Sequence, residues 1–139
     1  MTCRFCNIQE KEPNHILVVK SHCVVTLSDP RLMAGHLLVI PKRHVEKLQE
    51  LKLDERKEVF DTTLEYQSKI IENVAPGCDI RQHYRPFLSE NDTKVDHAHI
   101  HLHPRKFEDE LYTESQQHES KLYKKLPDKE VESVLNLLT

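Results

Sequence analysis

His97-Ala98-His99-Ile100-His101-Leu102-His103-Pro104-Arg105 decides how the chain is read. Four histidines alternate with small or apolar residues, and a period of two marks a strand with one buried face. Ala98, Ile100 and Leu102 are thereby assigned to a core. His97, His99, His101 and His103 line the other face, about 7 Å apart at each i, i+2 step. Pro104 is expected to end the strand. Four imidazoles in a row admit three readings: a solvated edge-strand face, a histidine-rich metal site, or a nucleophile directed at phosphorus with supporting donors beside it. Imidazole suits the last because it is substantially neutral near pH 7 with a ring nitrogen free.

Around this stretch the pattern is that of a small α+β domain. Ile16–Val19 and Cys23–Leu27 are β-rich runs that form a hairpin across Lys20-Ser21-His22. Ser28-Asp29-Pro30 carries turn chemistry. His36–Ile40 reads as a third strand stopped by Pro41, and Val45–Leu51 as a short helix. Asp54 is placed as the N-cap of a long helix whose apolar stripe is Val59, Phe60, Leu64, Ile70, Ile71 and Val74. Cys78–Arg85 and Val95–His103 supply the fourth and fifth strands of an antiparallel sheet. Asp128 is placed as the cap of a last helix with Val131, Val134, Leu135 and Leu138 on one face.

Composition bounds the function. The chain has 139 residues, 37% hydrophobic and 31% charged, which is one soluble globular domain. No apolar run approaches the roughly 20 residues of a membrane span. Met1-Thr2-Cys3-Arg4 is followed by no apolar stretch, so no signal peptide and a cytoplasmic location are expected. The formal net charge of -3 argues against a general nucleic-acid or anionic-membrane surface, and the run Lys121 to Lys129 reads as a solvated helix end and turn. With only Gly35 and Gly77, neither a P-loop nor a dinucleotide-binding glycine fingerprint can be built. Any phosphate must be held by side chains or ordinary backbone amides. Cys3 and Cys6 form a C-x2-C pair that reads as half of a metal site, whereas Cys23 and Cys78 sit in strand contexts as small core residues.

Three elements together carry a family resemblance. The histidine strand resembles the histidine triad (HIT) motif, H-φ-H-φ-H-φ-φ, often followed by Pro-Arg. Gly35-His36-Leu37-Leu38-Val39-Ile40-Pro41-Lys42-Arg43-His44 resembles a second signature of that family, and Cys3-x-x-Cys6 matches its zinc-bearing bacterial members. The resemblance covers residues 1–106 and implies a HIT-like fold. Residues 107–139 form a helical C-terminal extension expected to pack on the domain or a partner. The resemblance further implies a nucleotidyl hydrolase. His99 would attack the α-phosphorus of a purine nucleotide to give a covalent nucleotidyl-histidine, His101 would contact phosphate oxygens, and His36 would hydrogen-bond into the array. Phosphoramidates, acyl-adenylates and dinucleoside polyphosphates are the candidate substrates. His101 stands where uridylyltransferase relatives have glutamine, which favours the hydrolase branches. A phosphorylase using the same intermediate and a nucleotide-binding module without turnover are the alternatives. Cys3, Cys6, His44 and His97 match a structural zinc site, a closed tetrahedron with no position for water. No organic cofactor is implied, and a homodimer is.

Departures from the family cluster on the leaving-group side. Asp92-Thr93-Lys94 stands where most relatives have glycine-glutamine-serine/threonine, so Lys94 is a candidate to bind an anionic leaving group. No asparagine occurs on the preceding strand, where His83 is the nearest polar residue. The family's ribose-binding aspartate maps near Ser28 or Asp29. His103 replaces an apolar residue and either faces the same pocket, adding a phosphate contact, or faces solvent, the second being expected. Arg105 is a candidate for a phosphate contact or for an ion pair with an acid.

Overall fold

A computed structural model describes residues 3–139; Met1 and Thr2, which begin the N-terminal stretch read above, lie outside the described residues. The chain divides into a first unit ending at Phe107 and a second, Glu108–Thr139. The first opens with a single helical turn, α1 (Ile8–Lys11). Strands β1 (Ile16–Val19), β2 (Cys23–Leu27) and β3 (Leu37–Pro41) follow, then the 21-residue helix α2 (Leu53–Asn73), β4 (Gly77–Arg81) and β5 (Ile100–Arg105). All pairings are antiparallel, and the strand order is β1-β2-β3-β5-β4. This is the five-stranded α+β architecture expected. The second unit holds α3 (Glu110–Glu114), a 3-10 segment at Gln116–Leu122 and α4 (Asp128–Leu138).

Alternation explains why the sheet has two different faces. Val25, Leu37, Val39, Ile100 and Leu102 share one core with Val59, Tyr66 and Ile70 of α2. Val24, Leu38 and Ile40 face the other way, where Phe5 and Ile8 cover them. Ala98, Ile100 and Leu102 are buried as the alternation requires. The N-terminal segment thus lies on the same sheet face as the histidines, which brings Cys3 and Cys6 to the site.

Several boundaries move. The β5 ladder begins at Ile100 rather than Val95, and it runs through Pro104 to Arg105. Pro104 is tolerated because the pairing with β3 stops at Leu102, which leaves that stretch of β5 with β4 alone as a ladder partner. The fourth strand ends at Arg81, short of Arg85, and the third starts at Leu37. Val45–Leu51 is not a helix beyond a 3-10 turn at Leu48–Glu50, because Val45 and Leu51 are both pulled into the core and the Val45 carbonyl accepts the Ala98 N–H at 2.7 Å. Asp54 lies inside the first turn of α2, after Lys52 at the N-cap, and Asp128 likewise follows Pro127 in α4. The inward face of α2 is Val59, Thr62, Thr63, Tyr66 and Ile70, while Phe60, Leu64, Ile71 and Val74 are exposed.

Gly35 joins the β2–β3 connection to the site. Its φ of +82° is a left-handed conformation, and a Cβ there would meet Pro104 Cγ and Val74 Cγ1, each at 3.1 Å. The tight approach fixes the neighbouring His36 against β5.

One ion pair braces the segment that carries His44. Arg43 donates from Nε to Glu55 Oε2 at 3.1 Å and from Nη2 to Glu55 Oε1 at 2.8 Å, and Oε1 also accepts the Lys52 N–H at 2.8 Å. The Arg43 bonds, followed by the Lys52 amide, lower the Glu55 pKa from 4.5 to about 2. A carboxylate with a depressed folded-state pKa stabilises the fold above its unfolded pKa and ceases to as pH falls through the folded value. Glu55→Gln is therefore expected to lower the thermal midpoint at pH 7. The gap to wild type should shrink as pH falls from about 4.5 towards 2, as scanning calorimetry across that range would show.

Candidate active site

Two histidine clusters sit on the sheet face opposite α2. In the first, four donors converge. His97 Nδ1 lies 3.4 Å from Cys3 Sγ, 3.6 Å from Cys6 Sγ and 3.1 Å from His44 Nδ1, and Cys6 Sγ lies 3.4 Å from His44 Nδ1. A regular tetrahedron at ordinary Zn–N and Zn–S lengths has edges of about 3.3 Å (N···N) and about 3.6 Å (N···S), so the donor set fits zinc. Protonation states fit as well. His97 Nε2–H donates to the Pro41 carbonyl at 2.7 Å, which leaves Nδ1 as the lone-pair nitrogen facing the other donors. Cys3 Sγ accepts the Cys6 backbone N–H at 3.3 Å. Without a cation, desolvation and the adjacent Cys3 sulfur push the Cys6 thiol up to about 11.

The second cluster contains the nucleophile candidate. His99 Nδ1–H donates to the carbonyl of His97 at 2.6 Å, so its Nε2 carries the lone pair. Phe5 packs edge-on against the His99 ring, with centroids 4.8 Å apart at 80°. A backbone amide sets the tautomers of the next two rings. The Leu32 N–H donates to His36 Nδ1 at 3.1 Å, so the proton of neutral His36 sits on Nε2. That N–H points at His101 Nδ1, 2.9 Å away, which places the His101 proton on its own Nε2. Burial is the main cause that lowers the pKa of all three imidazoles: His36 to about 4, His101 to about 2, and His99 downward. The array at neutral pH is one lone pair on His99 beside an N–H donor on His101.

A cavity of about 250 Å³ opens on these rings, lined by His36, His99, His101 and His103 with Ser28 and Asp29 at its rim. A second, of about 200 Å³, adjoins it through His83, Arg85 and Thr93 and reaches Lys94. Of the expected substrate-side residues, Ser28 donates its hydroxyl to the Pro30 carbonyl at 2.8 Å, and Arg4 donates to the Asp29 carbonyl oxygen. Lys94 is held by Asp96 and by the Leu88 carbonyl. Arg105 is paired with Asp79 at 2.6 Å and lines neither cavity. His103 does not face solvent: it is 1% exposed and sets its ring perpendicular to His36 at 4.5 Å. The cause is the strand period, which turns position 103 to the same face as 101, under the β2–β3 connection. Phe5 and Arg81 line the cavity without having been singled out from the sequence. Period-two alternation on β4 was the signal that could have found Arg81, since it is the register partner of His101.

A sheet that presents imidazoles from β5, from the residues leading into it and from the residue before β3 in this way defines a class of protein. The HIT domain model matches residues 9–108, and the chain belongs to the HIT family. It is 32% identical over 108 residues to the adenosine 5'-monophosphoramidase HINT3 of Xenopus tropicalis, a match covering 73% of this chain and 67% of that protein. An uncharacterized HIT-like protein of Chlamydia muridarum is 39% identical over 70 residues, covering 48% of this chain and 52% of the relative, so the match spans about half of that protein's length. The fold matches a zinc-bound histidine triad family protein from Mycobacterium smegmatis with a TM-score of 0.67 at 23% identity, over 94% of this chain and 86% of that one. Among the described residues, no helix is long and apolar enough to cross a membrane.

Proposed function

We propose that the chain is a nucleotidyl hydrolase that cleaves purine nucleotides at the α-phosphorus through a covalent intermediate on His99. The observation that carries this reading is the hydrogen bond from His99 Nδ1 to the His97 carbonyl, which leaves the Nε2 lone pair free. In the first step the His99 Nε2–P bond forms and the bond from phosphorus to the leaving group breaks, its electron pair departing with that group. The His101 Nε2–H donates to a phosphate oxygen as charge builds there. In the second step the oxygen of water replaces Nε2 on phosphorus. One water proton goes to solvent, and the mononucleotide and neutral His99 are released. Asp29 is the acceptor for ribose hydroxyls, and Ser28 lies beside it. Zinc is the structural ion proposed for Cys3, Cys6, His44 and His97. The cytoplasm is the proposed place of action, where thiolate ligands stay reduced.

The test is a panel of an adenosine phosphoramidate, an acyl-adenylate and a diadenosine polyphosphate, with products identified by mass spectrometry. AMP release from at least one is expected. ADP formed only when phosphate is added would instead identify a phosphorylase, and no product from any of them would leave a binding module.

A homodimer is proposed through the outer face of α2. Phe60, Leu64 and Ile71 are 42%, 57% and 46% exposed at helical spacing, and the adjoining edge strand β4 exposes Ile80. Leu64→Glu is expected to convert a dimer to a monomer in size-exclusion chromatography with light scattering. A wild type that already elutes as a monomer would overturn the assignment.

A further inference from the structure

His36, His101 and His103 bring three imidazoles within 4.8 Å of one another, which is metal-site spacing. The tautomers argue against a cation. His36 Nδ1 accepts the Leu32 amide, so the nitrogen it turns to the cluster is an N–H, and His36 uses that N–H on His101. The cluster offers protons rather than three lone pairs. Its charge environment includes two arginines at His103, Arg81 and Arg105, acting against Asp79. Arg81 lies close enough to His36 and His103 for its positive charge to depress both.

Arg81 is half-buried on β4, across the ladder from His101, and lines the same cavity as the reacting rings. Among the described residues its guanidinium has neither a hydrogen-bond partner nor an ion pair. Arg105 is engaged by Asp79, Lys94 by Asp96, and Arg4 by Glu12 and the Asp29 carbonyl. Arg31 and Arg85 also line the cavity without a side-chain partner among the described residues, but both are exposed, whereas Arg81 is half-buried. His103, 1% exposed, has no hydrogen-bond partner on either ring nitrogen. A half-buried guanidinium without a counter-charge, beside a buried imidazole with unused nitrogens, is an arrangement that an anion completes.

We propose that Arg81, backed by His103, is a subsite for a second phosphate group of the substrate, next to the phosphate that His99 attacks. The inference rests on the hydrolase reading for the identity of the first phosphate. The register pairing of Arg81 with His101 sets the guanidinium beside the His101 contact to that phosphate, so the next phosphate of an anhydride chain is the expected occupant. A phosphate on the ribose is the other source of the same chemistry. The leaving-group selectivity sought in Lys94 thus falls to Arg81, because Lys94 is neutralised by Asp96.

The test compares kcat/KM of wild type, Arg81→Ala and Arg81→Lys on three adenylyl substrates. One is a phosphoramidate with no second phosphate, one carries it in an anhydride (diadenosine tetraphosphate), and one is the phosphoramidate with a 3'-phosphate. Arg81→Ala is expected to lose about 10- to 100-fold on the anhydride, with the plain phosphoramidate within about twofold and partial rescue by lysine. A selective loss on the 3'-phosphate substrate would also support the subsite and place its phosphate on the ribose. Equal losses on all three, no loss on any, or a loss explained by a change of oligomeric state on light scattering would overturn it. Tripolyphosphate binding by calorimetry separates this proposal from the hydrolase reading. A wild type that turns over nothing yet binds tripolyphosphate more than tenfold tighter than Arg81→Ala keeps the anion subsite and removes the hydrolase. A wild type that turns over the panel with selectivity indifferent to Arg81 does the reverse.

Discussion

His99→Ala is expected to lower the rate of AMP release by about three orders of magnitude or more and to abolish the AMP adduct on the protein. Its Nδ1 proton is committed to the His97 carbonyl two residues earlier in the chain, through a 2.6 Å bond that leaves Nε2 with the lone pair. Alanine removes the lone pair that this bond prepares. It leaves the Leu32–His36–His101 chain of hydrogen bonds intact, so the phosphate contact at His101 survives. Binding of AMP should therefore change far less than turnover. His99 is only partly buried, with Phe5 against one edge, so the variant should fold with its thermal midpoint close to wild type. The measurement is rapid-quench mass spectrometry of intact protein during turnover, read beside product formation. An adduct that persists in His99→Ala, or equal rates, would move the covalent step to another residue and remove the mechanism.

The alternation from His97 to His103 was legible because strand period and core burial agree there: Ala98, Ile100 and Leu102 are all buried. Cys3 and Cys6 were legible as half of a metal site from their C-x2-C spacing, the family resemblance supplied His44 and His97, and the structure brings the four donors together. Legibility failed where a tertiary contact overrode a local signal. Pro104 reads as a strand stop, yet β5 continues because β3 has ended beside it. Val45–Leu51 reads as helix, yet its two apolar ends are buried in an irregular segment with one 3-10 turn, closed by the Ala98 N–H on the Val45 carbonyl. In α2 the hydrophobic positions were visible but not which of them face inward: Thr62 and Thr63 are buried while Phe60 and Leu64 are not. Thr63 answers its own hydroxyl by donating to the Val59 carbonyl at 2.7 Å, which lets a polar side chain take a core place. His103 was named as a candidate, but its orientation was not legible; Arg81 escaped because ion pairing and burial decide which cation is available, and both are three-dimensional properties. From the chain alone Lys94, Arg105 and Arg81 are equivalent; only in the fold do Asp96 and Asp79 take the first two.

Cys6→Ser is expected to cost the protein its zinc and, with it, about 10 °C of thermal stability or more. Few other contacts hold the N-terminal segment. Asn7 donates to the Cys3 carbonyl, Arg4 reaches Glu12 and Asp29, and Phe5 and Ile8 cover the sheet. An ion joining Cys3 and Cys6 to His44 and His97 would tie that segment to two distant parts of the chain at once, and would close a loop spanning the 94 positions from Cys3 to His97. Losing it should also reach the chemistry, because two contacts to the nucleophile pass through this corner. Phe5, between the two cysteines, packs on His99, and His97, a proposed ligand, supplies the carbonyl that orients it. The prediction is one zinc per chain in wild type by elemental mass spectrometry, and less than about a tenth of that in Cys6→Ser. Calorimetry and AMP release measured on the same samples should fall together. Acid should release the metal by returning protons to the thiolates, since ligand binding and protonation compete for the same sulfur lone pairs. A Cys6→Ser protein that keeps its zinc would dissolve the assignment of the donor set. One that loses zinc but keeps both stability and rate would show that Phe5 and His97 are positioned by the sheet alone. That outcome would leave the HIT fold in place and make the metal dispensable to it.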